Sequence, residues 1–253
     1  MAVNHLGIDA GQLEGATLAL LPGDPARVGL IAAMMDGPVA VASEREFTTW
    51  CARSAGRSVA ITSTGIGGPS MSIAVEELAE LGVRTFIRVG TSGAIQPQIA
   101  PGDVVITTGA VRMEGASGHF APPEFPAVAD FGVVGALVEG AAANDVRFHL
   151  GITASTDTFY PGQERRDTYR GYILPSLDGS LAMWRALGVL NYEMEAATLY
   201  VMAATMGLRA AAVSGVVLNR AETEALADGA VAMAEQHAVL VATSAAGLLL
   251  AGE

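Results

Sequence analysis

Short apolar runs alternate along this chain with helical patterns, and a glycine or a polar turn stands at most of the joins. The run TLALLP leads through GDPA into a helical pattern, and VAITST leads through GIGGP into another. A repeated strand–turn–helix order of this kind predicts a sheet rich in parallel strands, covered by helices on both faces. We therefore predict one domain over residues 1–253, an α/β fold of three α/β/α layers around a central mixed, mostly parallel sheet.

The same alternation continues to the C-terminus. Further strands are predicted at RTFIRVG, GDVVITTGAVRM, RFHLGITAST and LRAAAVSGVVLN. Helices are predicted from about Pro126 to Ala142 and from about Gly229 to Leu250. Ligands of such sheets bind outside the carboxyl ends of the strands, so the polar segments that follow strands are where a functional site is expected.

Composition narrows the classes of function. A chain of 253 residues with 51% hydrophobic residues fits one compact domain. Its net charge of −12 argues against general binding to nucleic acid or to anionic membranes. The N-terminus has no basic region before an apolar run, and the apolar stretch AVLVATSAAGLLLA is predicted to be too short to span a bilayer. A cytoplasmic enzyme or binding protein is expected.

The basic residues are all arginine, because the 14 lysines and arginines of this chain include no lysine. Schiff-base chemistry on lysine and the lysine-dependent phosphate loop are therefore excluded. An anion would be bound by arginine, by a helix N-terminus or by backbone amides. Cys51 is the only cysteine and is expected to be a packed strand residue, and the four histidines show no metal-binding spacing.

Two polar strand ends point to an anion. In FIRVGTSGA, Arg88 stands inside a run that otherwise predicts a buried strand, and Thr91 follows it closely. A buried arginine needs an anionic partner, and hydroxyl and amide donors nearby favour an oxyanion such as phosphate. In LPGDPARV, Gly23 and Arg27 also follow a strand, although this stretch by itself favours an ordinary turn with a solvated arginine.

Two further strand ends point to a nucleoside. In TDTFYPGQER, the amide of Gln163 and the guanidinium of Arg165 match the polar edge of a flat heterocycle, and Phe159 offers a ring to stack on it; an ordinary Pro-Gly turn explains the stretch as well. In NYEMEAATLY, Glu193 and Glu195 either begin a helix favourably or accept the two hydroxyls of a ribose. Together the four ends favour a nucleoside bound next to phosphate.

In these segments and several longer ones, the chain resembles the nucleoside phosphorylase I family, and within it the bacterial hexameric type. The resemblance extends from about His5 to Arg220 and includes GATLALLPGDPARV, STGIGGPSMSIAVEELAELGVRTFIRVGTSGAIQP, TASTDTFYPGQER, NYEMEAATLY and GLRAAAVSGVVLNR. It implies reversible phosphorolysis of uridine to uracil and ribose 1-phosphate, a pentosyl transfer in pyrimidine nucleoside salvage.

The resemblance also implies a role for each matching residue. Phosphate would be bound by Gly23, Arg27, Arg88 and Thr91, and by Arg45 of a neighbouring subunit. The base would be bound by Phe159, Gln163, Arg165 and Arg220. The ribose would be surrounded by Tyr192, Glu193, Met194 and Glu195, with His5 of the neighbouring subunit at its 5′-hydroxyl. Arg165, Gln163, Arg88 and Glu195 would be the catalytic residues.

The implied assembly is a homo-hexamer, a trimer of dimers whose active sites are shared between subunits. Inorganic phosphate is the implied co-substrate, and the chemistry requires no metal or organic cofactor. Glu46, Ile66 and Ser70 match the positions at which the family holds a structural monovalent cation, usually potassium, across the dimer interface.

The chain departs from the family pattern at a few places. Family members that act on purines carry an aspartate where this chain has Gly215, which argues against a purine nucleoside phosphorylase. Glu44 replaces the usual histidine, and the lid segment 221–230 differs, so tolerance of further pyrimidine nucleosides stays open. A nucleoside hydrolase, which needs no phosphate, and a non-catalytic nucleoside sensor also stay open as functions for this chain.

Overall fold

The computed structural model describes residues 2–252; residues 1 and 253, the two ends of the predicted domain, lie outside it. The strands are β1 (Leu18–Pro22), β2 (Asp36–Glu44), β3 (Phe47–Ser54), β4 (Arg57–Thr62), β5 (Thr85–Ala94), β6 (Val104–Met113), β7 (Ala127–Val128), β8 (Phe148–Thr156), β9 (Asn191–Glu193) and β10 (Arg209–Asn219). The α-helices are α1 (Pro25–Ala32), α2 (Gly68–Glu80), α3 (Phe131–Ala143), α4 (Ser180–Ala186), α5 (Ala196–Thr205) and α6 (Ala230–Ala251).

All of these strands belong to one mixed sheet, in the order β10-β6-β8-β9-β5-β1-β4-β3-β2, with β7 beside β6. Strand β10 pairs with β5 as well as with β6, so β5, β10, β6, β8 and β9 close into a ring. The predicted mixed α/β sheet is confirmed. Its parallel share is smaller than expected, because the β2–β3–β4 meander and the pairs β5–β9, β6–β7 and β6–β10 are antiparallel.

Helices cover both faces of the sheet, as the strand–turn–helix order predicts. One core cluster joins α2 and α5 to the sheet through residues such as Met71, Leu78 and Leu199. The other joins α1, α3 and α6 through residues such as Ile31 and Leu137. This burial of apolar surface on both faces is the main contribution to the stability of a fold of this size.

Local capping sets two of the helix starts. Asp24 is the N-cap of α1, where its side chain accepts a hydrogen bond of 2.9 Å from Ala26 N, and Pro25 follows at the first helical position. Asp130 caps α3 in the same way by accepting from Val133 N at 2.9 Å. Helix α3 therefore begins at Phe131, five residues later than predicted, because the preceding residues form β7 and the capping turn.

Helix α6 is longer than the apolar stretch that was predicted too short to span a bilayer. Its 22 residues are long and apolar enough to cross a membrane by length and composition alone. However, Ala238, Val241 and Ala242 are buried in the core cluster that α6 shares with α3 and the sheet. The apolar composition of α6 is therefore explained by packing inside this fold.

The close approach of α6 to β10 at Gly215 gives a stability prediction. A Cβ atom at Gly215 would lie 2.0 Å from the carbonyl oxygen of Ala234, a backbone atom of α6. We expect Gly215→Ala to lower the free energy of unfolding by about 1–3 kcal/mol, as overpacking does, which calorimetry would detect as a lower Tm. Gly135→Ala in α3 is the control, since nothing lies within 4 Å of its Cβ. Equal Tm values for the two variants would contradict this packing.

Candidate active site

A cavity of about 730 Å³ lies at the carboxyl ends of β1, β5, β8, β9 and β10, where the parallel-sheet argument places a ligand. Its walls bring together residues from all four strand ends singled out in the sequence. They include Gly23, Arg27, Arg88, Thr91, Phe159, Gln163, Arg165, Tyr192, Glu193, Met194 and Glu195. Twelve of the predicted phosphate, base and ribose residues, counting Arg220 beside the wall, therefore converge on one place.

Arg88 lies in the part of the cavity that the sequence predicts to bind an anion, called below the anion-binding end. Its side chain is only 7% exposed, its Nε lies 3.2 Å from Glu193 Oε2, and its Nη2 forms an ion pair with Glu195. The remaining nitrogen, Nη1, is buried and has no hydrogen-bond partner within residues 2–252. A buried guanidinium whose Nη1 keeps both of its N–H groups without a partner is suited to bind an oxyanion.

Glu193 connects this arginine to a helix start. Its Oε2 also accepts hydrogen bonds of 2.9 Å from the backbone N–H groups of Glu195 and Ala196, the first residues at the N-terminus of α5. Ser155 at the end of β8 donates to its other oxygen. Glu193 thus has the helix-capping role that the sequence left open, and it holds Arg88 at the same time.

Glu195 is also buried in the cavity wall, but its contacts differ from those of Glu193. Its side chain is 3% exposed, and its Oε1 accepts a hydrogen bond of 2.5 Å from Gly67 N. Burial raises the pKa of Glu195, although Arg88 acts in the opposite direction. A carboxylate so poorly solvated gains from hydroxyl donors, as a sugar would supply.

Arg27 supplies a second guanidinium at the anion-binding end. Its Nη1 donates to Val89 O at 3.2 Å, and its Nη2 pairs with Glu235 of α6. Its Nε is buried without a partner among the described residues. Two arginines from different strand ends therefore each keep one nitrogen without a partner, and Gly23 and Thr91 line the same wall.

The other part of the cavity lining has the side chains that the sequence predicts to bind a flat polar ring, and it is called below the base end. Gln163 is 3% exposed, and its Nε2 lies 3.3 Å from Thr156 Oγ1. The Arg165 guanidinium carbon lies 4.1 Å from the centre of the Phe159 ring. Arg165 and Phe159 thus stack on each other and form one wall of this end.

Glu224 from the lid segment ties two arginines together here. It pairs with Arg165, and it accepts from Arg220 Nε at 2.6 Å. Arg220 also donates to Gln163 O at 2.8 Å and lies 5.4 Å from the centre of the Tyr192 ring. Burial, followed by repulsion from Arg220, lowers the pKa of Arg165, while Glu224 opposes this effect. Burial also raises the pKa of Tyr192.

Of the five remaining residues implied by the family resemblance, four do not line this cavity and the fifth stands at its rim. His5 and Arg45 do not line it in their own chain. Glu46 and Ser70 lie together beside it, with Ser70 Oγ 3.2 Å from Glu46 Oε1, and Ile66 is 76% exposed at its rim. Within the described chain no group of three or more His, Cys, Asp or Glu residues could hold a metal ion.

Three contributors were missed from the sequence. Glu235 and Glu224 hold the arginines of the two ends, and Ser155 holds Glu193. Glu235 lies 208 residues from Arg27 along the chain, so no local motif contains both. An arginine-rich site needs acidic residues that compensate its charge. The negative charge of the two glutamates was therefore the signal in the sequence that could have indicated them.

Fold and cavity together define an α/β protein with a polar, arginine-rich site at the carboxyl ends of its strands. The sequence model of the phosphorylase superfamily matches residues 17–251, and the chain therefore belongs to this superfamily. This confirms the family resemblance found in the sequence.

Individual relatives are similar over nearly the whole chain. A uridine phosphorylase of Escherichia coli strain K12 is 58% identical over 248 residues, which cover 98% of each chain. A uridine phosphorylase of Haemophilus influenzae is 52% identical over the same coverage. A guanosine phosphorylase of Halorubrum lacusprofundi is 40% identical over 83% of this chain and 80% of its own.

Cys51 lies in β3, buried and outside the cavity walls, and this gives a reactivity prediction. Burial, followed by the negative charge of Glu14, raises the pKa of its thiol to about 11. Because the thiolate is the reactive form, we expect the native chain to react with a thiol reagent at pH 8 at least about 100-fold more slowly than the urea-unfolded chain. Equal rates in the two states would show that Cys51 is accessible and ionisable.

Proposed function

We propose that this chain catalyses the reversible phosphorolysis of uridine, giving uracil and ribose 1-phosphate by transfer of a pentosyl group to phosphate. One observation supports this function above the others: a single cavity has N–H groups of Arg88 and Arg27 without a partner in the described chain, the Gln163–Arg165 pair, and the buried carboxylate of Glu195 in one lining. The uridine phosphorylases that match almost the full chain support the same activity.

At the anion-binding end, phosphate is bound by Arg27, Arg88, Gly23 and Thr91. At this end, the N–H groups of Arg27 Nε and Arg88 Nη1 are donors without a hydrogen-bond partner among residues 2–252. Arg45 of a neighbouring subunit adds a third guanidinium. The bound phosphate then lies below the sugar, where its own charge favours a cationic ribose.

In the middle of the cavity, Glu195 accepts the 2′- and 3′-hydroxyls of the ribose. Tyr192 and Met194 form the surrounding wall, and Glu193, although bound to Arg88 and to α5, completes the ribose surroundings. An acceptor-only carboxylate selects a vicinal diol, because each hydroxyl needs an acceptor when it leaves water.

At the base end, Gln163 and Arg165 bind the polar edge of uracil, and Phe159 packs against its face. As the glycosidic bond breaks, the sugar gains oxocarbenium character and the electron pair of that bond stays on uracil. Preorganised donors stabilise this leaving-group charge, and Arg220 adds positive charge next to them. The phosphate oxygen forms the new bond to C1′, and holding both reactants in line contributes up to about 7–11 kcal/mol in favourable cases.

Purine nucleosides are poorer candidates for a structural reason. Purine-specific members of the family place an acid at the position of Gly215, and here a side chain at that position would collide with the α6 backbone. The alternative of a pyrimidine nucleoside phosphorylase of broad specificity depends on how the lid around Leu226 fits the base, and Leu226 lines the cavity.

The proposal includes a homo-hexamer built as a trimer of dimers, with active sites shared between subunits. A cleft of about 800 Å³ adjoins the cavity and is lined by Ile66, Pro69, Ile73 and Phe120, an apolar surface that a neighbouring subunit would cover. Glu46, Ile66 and Ser70 next to it offer oxygen ligands of the kind that an alkali cation prefers, and we propose that they hold a structural potassium ion at the dimer interface. The cytoplasmic location stays a prediction.

The activity is tested by measuring uracil release from uridine with and without phosphate. We expect release from uridine that depends on phosphate, with inosine inactive, because Gly215 stands where the purine-acting members of the family carry the aspartate that protonates the base. A thymidine arm measures how broad the pyrimidine specificity is. Release that continues undiminished without phosphate would indicate a nucleoside hydrolase. Tight uridine binding without turnover would indicate a nucleoside sensor. A preference for inosine would indicate a purine nucleoside phosphorylase.

Glu195→Ala gives a prediction about the ribose. We expect kcat/KM for uridine to fall at least about 100-fold, because the diol loses its charged acceptor, with much less effect on 2′,3′-dideoxyuridine.

The shared site allows a second test, in which Glu195→Ala subunits are mixed with inactive Arg45→Ala subunits and reassembled. The mixture should regain about a quarter of the parental activity, since random pairing restores one site in each mixed dimer. Parental activity in Glu195→Ala would refute its role, and mixing without recovery would refute the shared site.

A further inference from the structure

A buried carboxylate on α2 fixes the N-terminal segment of the chain. Glu77 is 8% exposed, and its two oxygens accept hydrogen bonds from the backbone N–H groups of His5 at 2.9 Å and 3.0 Å and of Leu6 at 2.8 Å. Leu6 is fully buried in the core. These contacts hold the backbone of His5 against the fold.

Glu77 also contacts the His5 ring. The ring nitrogen Nδ1 lies 2.6 Å from Glu77 Oε1. Burial acts to raise the pKa of Glu77, but the hydrogen bonds from Leu6 and His5 outweigh burial and lower that pKa below its usual range. The carboxylate is therefore ionised near neutral pH and only accepts hydrogen bonds, so the hydrogen of a neutral His5 ring lies on Nδ1 and the lone pair on Nε2.

The remaining ring nitrogen, Nε2, belongs to a partly exposed side chain. The His5 side chain is 36% exposed, and Nε2 makes no hydrogen bond to residues 2–252. A Cβ at Gly7 would lie 3.1 Å from Glu44 Cγ, so the N-terminal segment runs beside the turn that carries Arg45. His5 and Arg45, which the family resemblance assigns to a neighbouring subunit's site, therefore lie on the same side of the fold.

We propose that Glu77 is a positioning residue for nucleoside recognition: it sets the tautomer and orientation of His5, so that Nε2 accepts a hydrogen bond from the 5′-hydroxyl of the nucleoside in the neighbouring subunit. This inference rests on the proposed function. It restricts the preferred substrates to nucleosides with a free 5′-hydroxyl, and it explains why a carboxylate is buried at this point of α2.

The alternative is that Glu77 only anchors the N-terminal segment. A purely structural role would act through the stability of the fold, so its loss would lower the activity on all substrates equally. A role through the His5 ring affects only a substrate that has the 5′-hydroxyl. Uridine and 5′-deoxyuridine differ by this single group, so the pair separates the two roles.

The experiment compares kcat/KM of the purified, assembled parent and Glu77→Gln proteins on uridine and on 5′-deoxyuridine at saturating phosphate. We expect Glu77→Gln to lose about 10-fold or more on uridine, by analogy with changes to residues that orient a metal-binding histidine, and to stay within about twofold of the parent on 5′-deoxyuridine. Glu76→Gln, the same change at an exposed position of α2, should match the parent on both substrates.

His5→Ala and the double variant His5→Ala/Glu77→Gln complete the cycle. If Glu77 acts through His5, the double variant equals His5→Ala on uridine. Equal losses of Glu77→Gln on both substrates, or an unchanged rate on uridine, would overturn the proposal. Should Glu77→Gln fail to fold, Glu77→Asp keeps the charge but shifts the ring, and the same substrate-selective loss is required of it. A parent without phosphate-dependent activity on uridine would refute the proposed function instead.

Discussion

The burial of Arg88 between two carboxylates is the interaction on which the site depends. A charged side chain inside β5 costs several kcal/mol to remove from water unless partners compensate it. Glu193 and Glu195 provide that compensation, and both come from the junction of β9 and α5. Glu193 in turn accepts hydrogen bonds from the first backbone N–H groups of α5. One ion-pair network therefore fixes a strand, a helix start and the anion-binding end of the cavity together.

The remaining arginines of the cavity follow the same arrangement. Glu235 holds Arg27 at the anion-binding end, while Glu224 bridges the two guanidinium groups at the base end. Each carboxylate holds part of a guanidinium and leaves other N–H groups free, so the donors are oriented before a ligand arrives. Preorganisation of this kind reduces the cost of orienting polar groups during the reaction. It also keeps an arginine-rich cavity close to electrical balance in an acidic chain.

Several features of the site were accessible from the sequence because each had a local signal. Arg88 was conspicuous as a charge within an apolar strand, and Gln163 and Arg165 as polar groups after a Pro-Gly turn. The roles of Glu193 and Glu195 were not separable in this way, since both stand in the same short motif. Only their surroundings separate them: Glu193 accepts from backbone N–H groups of α5, whereas Glu195 accepts from Gly67, which follows a distant strand.

The sequence by itself determined the α/β class, most strand ends and the residue types that converge on the cavity, because alternation and turn chemistry are local properties of the chain. It did not determine that β10 pairs with both β5 and β6, so that the sheet closes into a ring, or that α6 approaches Gly215 too closely for a side chain. Pairing between strands far apart in sequence, and the carboxylate chosen by each arginine, depend on packing distances that no short segment encodes. The tertiary structure alone decided these, since burial sets which charges must find each other.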